Sequence, residues 1–170
     1  MTNDYGLVSI ITPTWACAGF IAETIRSIQA QTYTNWELLI QDDCSTDNTR
    51  EVVERFAQGD NRIKYECNDR NSGAAITRNN ALKRAQGRWI AFLDSDDLWL
   101  PEKLQHQLAF MTAHDYAFSY HEYTEMTEDG ADEGVYVSGM KKVGKWMMSA
   151  CCWPGCLTVM YNRERIGLLQ

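Results

Sequence analysis

The chain has 170 residues, of which 45% are hydrophobic and 23% are charged, and its formal net charge is -7 at pH 7. This composition is typical of a globular protein and excludes collagen, coiled coil and extensive disorder. The sequence has no apolar run of the roughly 20 residues that a transmembrane segment needs and no signal-peptide pattern. From these two absences we expect a cytoplasmic protein. Generic nucleic-acid binding depends on clustered Lys and Arg, so we expect no nucleic-acid partner for this acidic chain.

Strand and helix patterns alternate along the first part of the chain. Residues 7–11 form an apolar run that predicts a buried strand, and isoleucines at helical spacing predict a helix over residues 21–28. A second strand is predicted at residues 36–40, and the polar, cap-rich segment after it predicts a helix that begins near Asp47. Residues 62–66 alternate polar and apolar side chains, which favours an edge strand with one wet face.

The alternation continues through the next fifty residues. A helix with alanines on one side (Ala74, Ala81 and Ala85) is predicted at residues 73–86, and the fully apolar residues 89–93 predict a central strand covered on both faces. Apolar residues at helical spacing (Leu100, Leu104, Leu108 and Met111) predict a further helix with Pro101 in its first turn. An aromatic strand is predicted at residues 116–123.

The C-terminal part has a looser pattern. Residues 115–134 hold seven acidic side chains and no Lys or Arg, which predicts a solvated loop. A last strand is predicted at residues 156–161. Repeated strand–helix–strand units form right-handed crossovers, so the predicted fold class is α/β, with a mostly parallel sheet between layers of helices. In the absence of a repeat or a low-complexity linker, residues 1–170 are predicted to form a single domain.

We expect the six cysteines to be buried free thiols. Cys17, Cys44 and Cys67 are scattered singly along the chain, and residues 151–156 hold the other three without a C-x-x-C pair or a well-spaced histidine for zinc. The three histidines share no metal-ligand spacing either. The sequence therefore predicts neither a disulfide framework nor a zinc site.

Polar clusters follow three of the predicted strands, at residues 12–14, 41–43 and 94–97. Ligands of open parallel sheets bind beyond the carboxyl ends of the strands. Each cluster alone has an ordinary structural explanation, but their shared position at one edge of the sheet predicts a binding site.

The cluster Asp94-Ser95-Asp96-Asp97 gives the strongest indication of chemistry. Asp94 and Asp96 are two residues apart at a strand end, where both carboxylates can reach one cation, and hard oxygen ligands suit Mg²⁺ or Mn²⁺. The alternative is capping of the following helix. Capping explains Ser95 or one aspartate, but it does not account for three carboxylates within four residues, which repel one another. We therefore favour a metal site.

For two other residues, the sequence pattern alone leaves the function open. Asp43 ends the second predicted strand, where an acid can hydrogen-bond a nucleoside, but it could equally cap the next helix. Arg78 could meet a phosphate from its helix, although its position alone favours a solvated arginine.

The first strand is followed by neither a dinucleotide fingerprint nor a P-loop, and the chain has no nucleophile elbow. A dehydrogenase, a P-loop ATPase and an α/β hydrolase are therefore disfavoured.

The order of these motifs resembles the family 2 glycosyltransferases. The resemblance runs from about residue 7 to residue 100 and is weaker at residues 159–167. It is carried by these segments: VSIITPT (8–14), FIAETIRSI (20–28), QTY (31–33), WELLI (36–40), DDCSTDNT (42–49), NSG (71–73), RN (78–79) and FLDSDD (92–97).

The resemblance implies a GT-A (Rossmann-like) fold and inverting transfer of a sugar from a nucleoside-diphosphate sugar, with UDP favoured. The implied nucleotide-binding residues are Thr12, Pro13, Thr14, Trp15, Asp43, Arg78, Asp94, Ser95 and Asp96. Within this set, residues 12–15 would border the base and ribose and Asp43 would hold the base. Asp94 and Asp96 would form the D-x-D pair that binds Mn²⁺ or Mg²⁺. The implied acceptor is a glycan or a lipid-linked sugar in polysaccharide biosynthesis, with the full-length protein peripherally associated with the inner face of the membrane.

The sequence departs from the family pattern at two points. Trp15-Ala16 stands where the family has an aromatic residue followed by Asn. The acidic motif that supplies the family's catalytic base would lie past the Ile166-Gly167 segment, so the domain is expected to be incomplete at its C-terminus and the catalytic residue is unknown. Two alternatives remain: a nucleotide-sugar-binding or assembly module without catalysis, and a sugar nucleotidyltransferase, which the absent Gly-rich N-terminal loop disfavours.

Overall fold

The computed structural model describes residues 4–127, 131–138 and 154–169. The strands are β1 (Val8–Thr14), β2 (Trp36–Asp42), β3 (Ile63–Cys67), β4 (Trp89–Phe92), β5 (Phe118–Ser119), β6 (Tyr123–Met126), β7 (Asp132–Val137) and β8 (Met160–Asn162). The helices are α1 (Ile21–Gln29), α2 (Thr49–Gly59), α3 (Ala74–Lys83), α4 (Lys103–Ala113) and α5 (Arg163–Ile166), and a 3-10 turn spans Cys156–Thr158. No helix among these residues is long and apolar enough to cross a bilayer.

A six-stranded sheet in the order β3-β2-β1-β4-β8-β5 forms the centre of the molecule. Strands β3, β2, β1 and β4 are parallel, whereas β8 runs antiparallel between β4 and β5. The predicted mostly parallel α/β sheet is therefore confirmed, with β3 at the predicted edge and β4 in the interior. The chain order of the strands reverses beside β1, which is the place where open α/β sheets bind ligands.

Each face of this sheet is covered by its own helices because successive strand residues point to opposite sides. Alternate residues such as Ile10 and Leu38 pack with α1, α2 and α4, and the residues between them, such as Ile11 and Leu39, pack with α3. The buried face of α3 includes Ala81, whose small side chain lets the helix lie close to the sheet, and Leu82 packs beside it. Ala74, predicted on the same side, is exposed at the start of the helix.

Two predicted helices are shorter in the structure. Helix α3 ends at Lys83, three residues before the predicted end, and α4 begins at Lys103. Leu100 is 79% exposed and does not belong to the apolar stripe of α4, which Leu104, Leu108 and Met111 form as predicted. Pro101 precedes α4 rather than lying in its first turn, and its carbonyl accepts a hydrogen bond from Thr32 N.

The predictions for the C-terminal part were partly wrong. Of the strand predicted at 116–123, only β5 joins the main sheet, and the first residues of the predicted last strand form the 3-10 turn before β8. The acidic stretch is not only a loop, because β6 and β7 pair into an antiparallel ribbon. Glu128 and Asp129 lie outside the described residues. The ribbon is largely exposed. Pairing of its two strands satisfies backbone hydrogen bonds, but the ribbon does not add to the core.

Candidate functional site

A cavity of about 590 Å³ opens beyond the carboxyl ends of β1, β2 and β4. Its walls come from segments that are far apart in the sequence. Residues lining it are Pro13, Thr14, Trp15, Asp43, Asn71, Gly73, Ala74, Thr77, Arg78, Asp94 and Asp96. The three polar clusters predicted from strand ends thus meet in one place, as expected for parallel strands whose carboxyl ends share an edge.

The register of the sheet explains why the β1 and β2 ends meet. Thr14 pairs with Asp42, and Asp43 N donates to Thr14 O at 2.9 Å, which extends the ladder by one residue. Trp15 then leaves the sheet with 62% of its surface exposed at the cavity. Its large flat ring is therefore open to a planar ligand group.

The turn after Trp15 is held by the segment that precedes α2. Ala16 has φ 48°, in the left-handed region that Asn and Gly tolerate better than Ala. Ala16 N donates to Ser45 Oγ at 2.8 Å and Ala18 N donates to Asp47 Oδ2 at 3.0 Å. Ser45 and Asp47, which lie in the polar, cap-rich segment before α2, therefore stabilise the strained turn that presents Trp15.

Asp43 is 4% exposed, and its carboxylate accepts three hydrogen bonds. The donors are Asn68 Nδ2 at 2.7 Å, Ser72 N at 2.8 Å and Gly73 N at 2.7 Å. Gly73 has φ 84°, a conformation that favours glycine and lets its N–H face the carboxylate at the start of α3. Burial raises the pKa of Asp43, but the hydrogen bonds from Asn68, Ser72 and Gly73 outweigh it and hold the pKa below the usual value.

Asn68 connects this carboxylate to the rest of the sheet edge. Its Nδ2 also donates to Thr77 Oγ1 at 2.8 Å, and its Oδ1 accepts from Gln41 Nε2 and Asn80 Nδ2, each at 3.0 Å. With both amide atoms engaged, Asn68 orients Asp43. Sequence reasoning missed this residue, since a single Asn after a strand looks like an ordinary turn residue.

Arg78 is not the solvated arginine that its position alone suggested. Its side chain is 26% exposed, and Nη2 lies 2.7 Å from Asp94 Oδ1 on the opposite wall of the cavity. The pair links α3 to the end of β4. It places a guanidinium at the cavity wall next to the carboxylates, where an anionic ligand group could compete with Asp94 for it.

The acidic cluster after β4 does not cap a helix. Helix α4 begins at Lys103, its N-cap is Glu102, and no side chain bonds there, so the capping alternative for residues 94–97 is wrong. Burial raises the pKa of Asp97 to about 6, and the charges of Asp96 and Asp94 add to the shift. The cluster therefore carries an excess of negative charge that a cation would relieve.

The residues present fit a divalent cation only in part. Asp94 and Asp96 both line the cavity and offer hard oxygen ligands. Among the described ranges, no group of three or more His, Cys, Asp or Glu side chains could hold a metal ion. A cation held by these two carboxylates would thus need further oxygen atoms from a bound ligand or from water, as Mg²⁺ commonly does.

Two of the predicted site residues lie behind the cavity instead of lining it. Thr12 is fully buried within β1. Ser95 is buried, and its carbonyl accepts hydrogen bonds from Thr24 Oγ1 at 2.9 Å and Cys17 Sγ at 3.3 Å. These contacts tie the Asp94–Asp96 segment to α1 and the β1 turn, so Ser95 positions the acidic residues on either side of it.

Comparison with known proteins identifies the family and agrees with the fold. The model of glycosyl transferase family 2 matches residues 9–135. TuaG of Bacillus subtilis (strain 168), named as a teichuronic acid biosynthesis glycosyltransferase, is 42% identical over 170 residues, which are the whole of this chain and 68% of TuaG. WfgD of Escherichia coli, named UDP-Glc:alpha-D-GlcNAc-diphosphoundecaprenol beta-1,3-glucosyltransferase, is 44% identical over 97% of this chain and 63% of its own length.

Among solved structures, S. aureus TarS 1-349 in complex with UDP superposes with a TM-score of 0.70 at 26% identity. The alignment covers 91% of this chain and 46% of the TarS chain. The chain described here thus spans about two thirds of the curated relatives and about half of the TarS chain.

Proposed function

The chain belongs to glycosyl transferase family 2, and from that premise we propose that it is the donor-binding part of an inverting, metal-dependent glycosyltransferase. The donor is a nucleoside-diphosphate sugar, with a UDP-sugar favoured, and the acceptor is a glycan or a lipid-linked sugar. The observation that carries the proposal is the cavity at the strand ends, which joins an exposed indole, an arginine and three carboxylates in one space.

The chemical character of the cavity matches the parts of such a donor. The exposed ring of Trp15 offers a stacking surface for a base. Asp43 lines the same wall, although its carboxylate already accepts three hydrogen bonds, so it has little capacity left for a ligand. We therefore assign Asp43 mainly to shaping the base pocket and only secondarily to direct contact.

The diphosphate belongs on the Arg78 and Asp94 side of the cavity. Arg78 supplies positive charge there, while Asp94 and Asp96 would hold Mn²⁺ or Mg²⁺. When bound, the cation supplies charge neutralisation to the diphosphate and so makes it a better leaving group. Arg78 would orient the phosphate oxygens by charge-assisted hydrogen bonds, exchanging part of its ion pair with Asp94.

The acceptor class rests on the names of the relatives. TuaG is named for teichuronic acid biosynthesis and WfgD for transfer to a diphosphoundecaprenol-linked sugar. A polyprenol acceptor is embedded in a bilayer, which is why the proposal includes peripheral association of the full-length protein with the cytoplasmic face of a membrane. The identity of the transferred sugar and the linkage are outside the proposal.

Calorimetric titration with nucleoside diphosphates tests the donor assignment. We expect UDP to bind in the presence of Mn²⁺ or Mg²⁺ and to bind much more weakly in EDTA, with ADP and GDP weaker than UDP. Substituting Glu125→Gln, an exposed acid on β6 that does not line the cavity, provides the control and should leave the affinity unchanged. Failure of every nucleotide to bind in every metal condition would contradict the proposal.

A second candidate is a nucleotide-sugar-binding module that does not catalyse transfer. It is favoured by the three acids that line the cavity, because each has another role: Asp43 holds a loop, Asp94 pairs with Arg78, and Asp96 is assigned to the cation. None is thereby free to take a proton from an acceptor hydroxyl. Measuring release of UDP from a UDP-sugar with a lipid-linked acceptor separates the candidates, since the module binds the donor without releasing UDP.

A further inference from the structure

Two cysteines that are far apart in the sequence meet beside the nucleotide cavity. Cys44 follows the end of β2, and Cys67 is the last residue of the neighbouring β3. Cys44 Sγ donates to Asn68 O at 3.0 Å, and Cys67 Sγ donates to the same oxygen at 3.3 Å. Because both sulfur atoms bond to one carbonyl oxygen, the two thiols are neighbours in space. This corrects the prediction that these cysteines are isolated, buried thiols.

The surroundings of the pair make the two thiols unequal. Cys67 is exposed and lines a second cavity of about 410 Å³. Cys44 is half-buried and has φ 63°, a left-handed conformation that places its side chain toward β3. Burial raises the pKa of Cys44, and hydrogen bonding and charge repulsion from the Cys67 thiol raise it further. Cys67 is therefore the thiol that meets a soluble oxidant first.

We propose that Cys44 and Cys67 form a reversible disulfide that acts on the nucleotide cavity. With a peroxide as the oxidant, the Cys67 thiolate attacks one peroxide oxygen, which yields a sulfenic acid and one water for hydrogen peroxide. The Cys44 sulfur then attacks the Cys67 sulfur and releases a second water. Two thiols are oxidised and one peroxide is reduced to two waters. Exchange with a dithiol reverses the bond.

Asn68 carries the effect of this bond to the cavity. Its carbonyl oxygen loses both thiol donors when the disulfide forms, while its side chain is the donor to Asp43 and to Thr77. Drawing Cys44 toward Cys67 also moves Asp43, the residue before Cys44. The disulfide is therefore expected to loosen the hydrogen bonds that orient Asp43 and to weaken nucleotide binding. This coupling rests on the proposed function, whereas formation of the disulfide does not.

Tryptic mapping tests the bond itself. Cleavage after Arg26 and Arg50 and after Lys64 and Arg70 places Cys44 in peptide 27–50 and Cys67 in peptide 65–70. After mild hydrogen peroxide and alkylation, we expect a linked 27–50/65–70 species that dithiothreitol removes. The variant Cys17→Ser, which removes a buried cysteine outside the pair, should retain this species, and Cys67→Ser should lose it. Absence of the linked species in the wild type and in Cys17→Ser overturns the proposal.

The affinity for UDP tests the coupling. Oxidation of the wild type should weaken UDP binding about tenfold, the equivalent of losing roughly one hydrogen bond to a charged group. Cys67→Ser keeps a hydroxyl donor for Asn68 O and should bind UDP equally well before and after oxidation. A linked species with unchanged UDP affinity refutes the coupling. If the reduced wild type binds no nucleotide, the proposed function fails, and the mapping still decides whether the pair forms.

Discussion

The two acidic sides of the cavity at the strand ends are built in opposite ways. On the β2 side, the Asp43 carboxylate is buried and receives three donors from the segment around α3, which keeps its pKa low. On the β4 side, Asp94, Asp96 and Asp97 crowd together, and within the described part of the chain only Asp94 has an arginine partner, Arg78. Burial and the neighbouring charges raise the pKa of Asp97 to about 6.

This difference separates an acid that is satisfied within the fold from the acids that we propose bind a ligand. The first is satisfied within the fold, so its charge stabilises the native state and the shape of the pocket. The acids on the β4 side lower the stability of the native state, because like charges repel in a partly desolvated site. Such a cluster gains stability when a cation and an anionic ligand complete it.

The largest effect is expected from Asp43→Asn, which keeps the size of the side chain and removes its charge. One backbone N–H would then face an amide NH₂ group, and the remaining hydrogen bonds would be to a neutral acceptor. We expect the free energy of unfolding to fall by about 3 kcal/mol, the range for losing hydrogen bonds to a buried charge. Urea denaturation measures this change.

The control for this substitution is Asp69→Asn, an exposed acid in the same loop. Its free energy of unfolding should stay within about 0.5 kcal/mol of the wild-type value. An Asp43→Asn variant as stable as Asp69→Asn would show that the β2 side does not depend on its charge, and the contrast between the two sides would be lost.

Substitution of the exposed acid on the other side should affect binding and leave the fold intact. Asp96→Asn removes a cation ligand and one of the charges that raise the pKa of Asp97. We expect UDP affinity in Mn²⁺ to fall at least about tenfold, to the value found in EDTA. The free energy of unfolding should be unchanged or slightly higher. Metal-dependent affinity equal to that of the wild type would reject Asp96 as a ligand of the cation.

The smallest effect is a pH dependence of stability with opposite signs on the two sides. The folded-state pKa of Asp97 is about 6, above the usual 3.8, so the folded protein binds more protons than the unfolded chain between these values. Stability from this group therefore increases as pH falls from about 6 to about 4. Asp43 has a lowered pKa, so its contribution is present above the unfolded pKa and is lost as pH falls below about 4.

Comparing the wild type with Asp97→Asn isolates the first of these contributions. At pH 7 the variant should be more stable by about 1 kcal/mol, allowing for solvent screening, and the difference should vanish near pH 4. Urea denaturation at pH 4.5, 6 and 7 gives the profile. Parallel profiles for the two proteins would mean that the folded protein does not raise the pKa of Asp97.

Much of the fold could be predicted from the sequence because its signals are local. Short apolar runs identified β1 and β4, alternating polar and apolar residues identified the edge strand β3, and isoleucines at helical spacing identified α1. Two predictions failed: Leu100 fits the helical spacing of α4 yet is exposed before the helix begins, and the aromatic segment at 116–123 contributes only a short strand to the main sheet. Whether an apolar side chain is covered depends on which element packs over it, and a local pattern does not contain that information.

By itself, the sequence determined the α/β class and placed the acidic and polar clusters at the strand ends. Only the tertiary structure decided how those clusters are used. It pairs Arg78 with Asp94 and brings Cys44 next to Cys67. It also directs hydrogen-bond donors of Asn68 and Gly73 at the Asp43 carboxylate. The physical reason is that strand order and register, rather than spacing along the chain, determine which side chains meet across the edge of a parallel sheet.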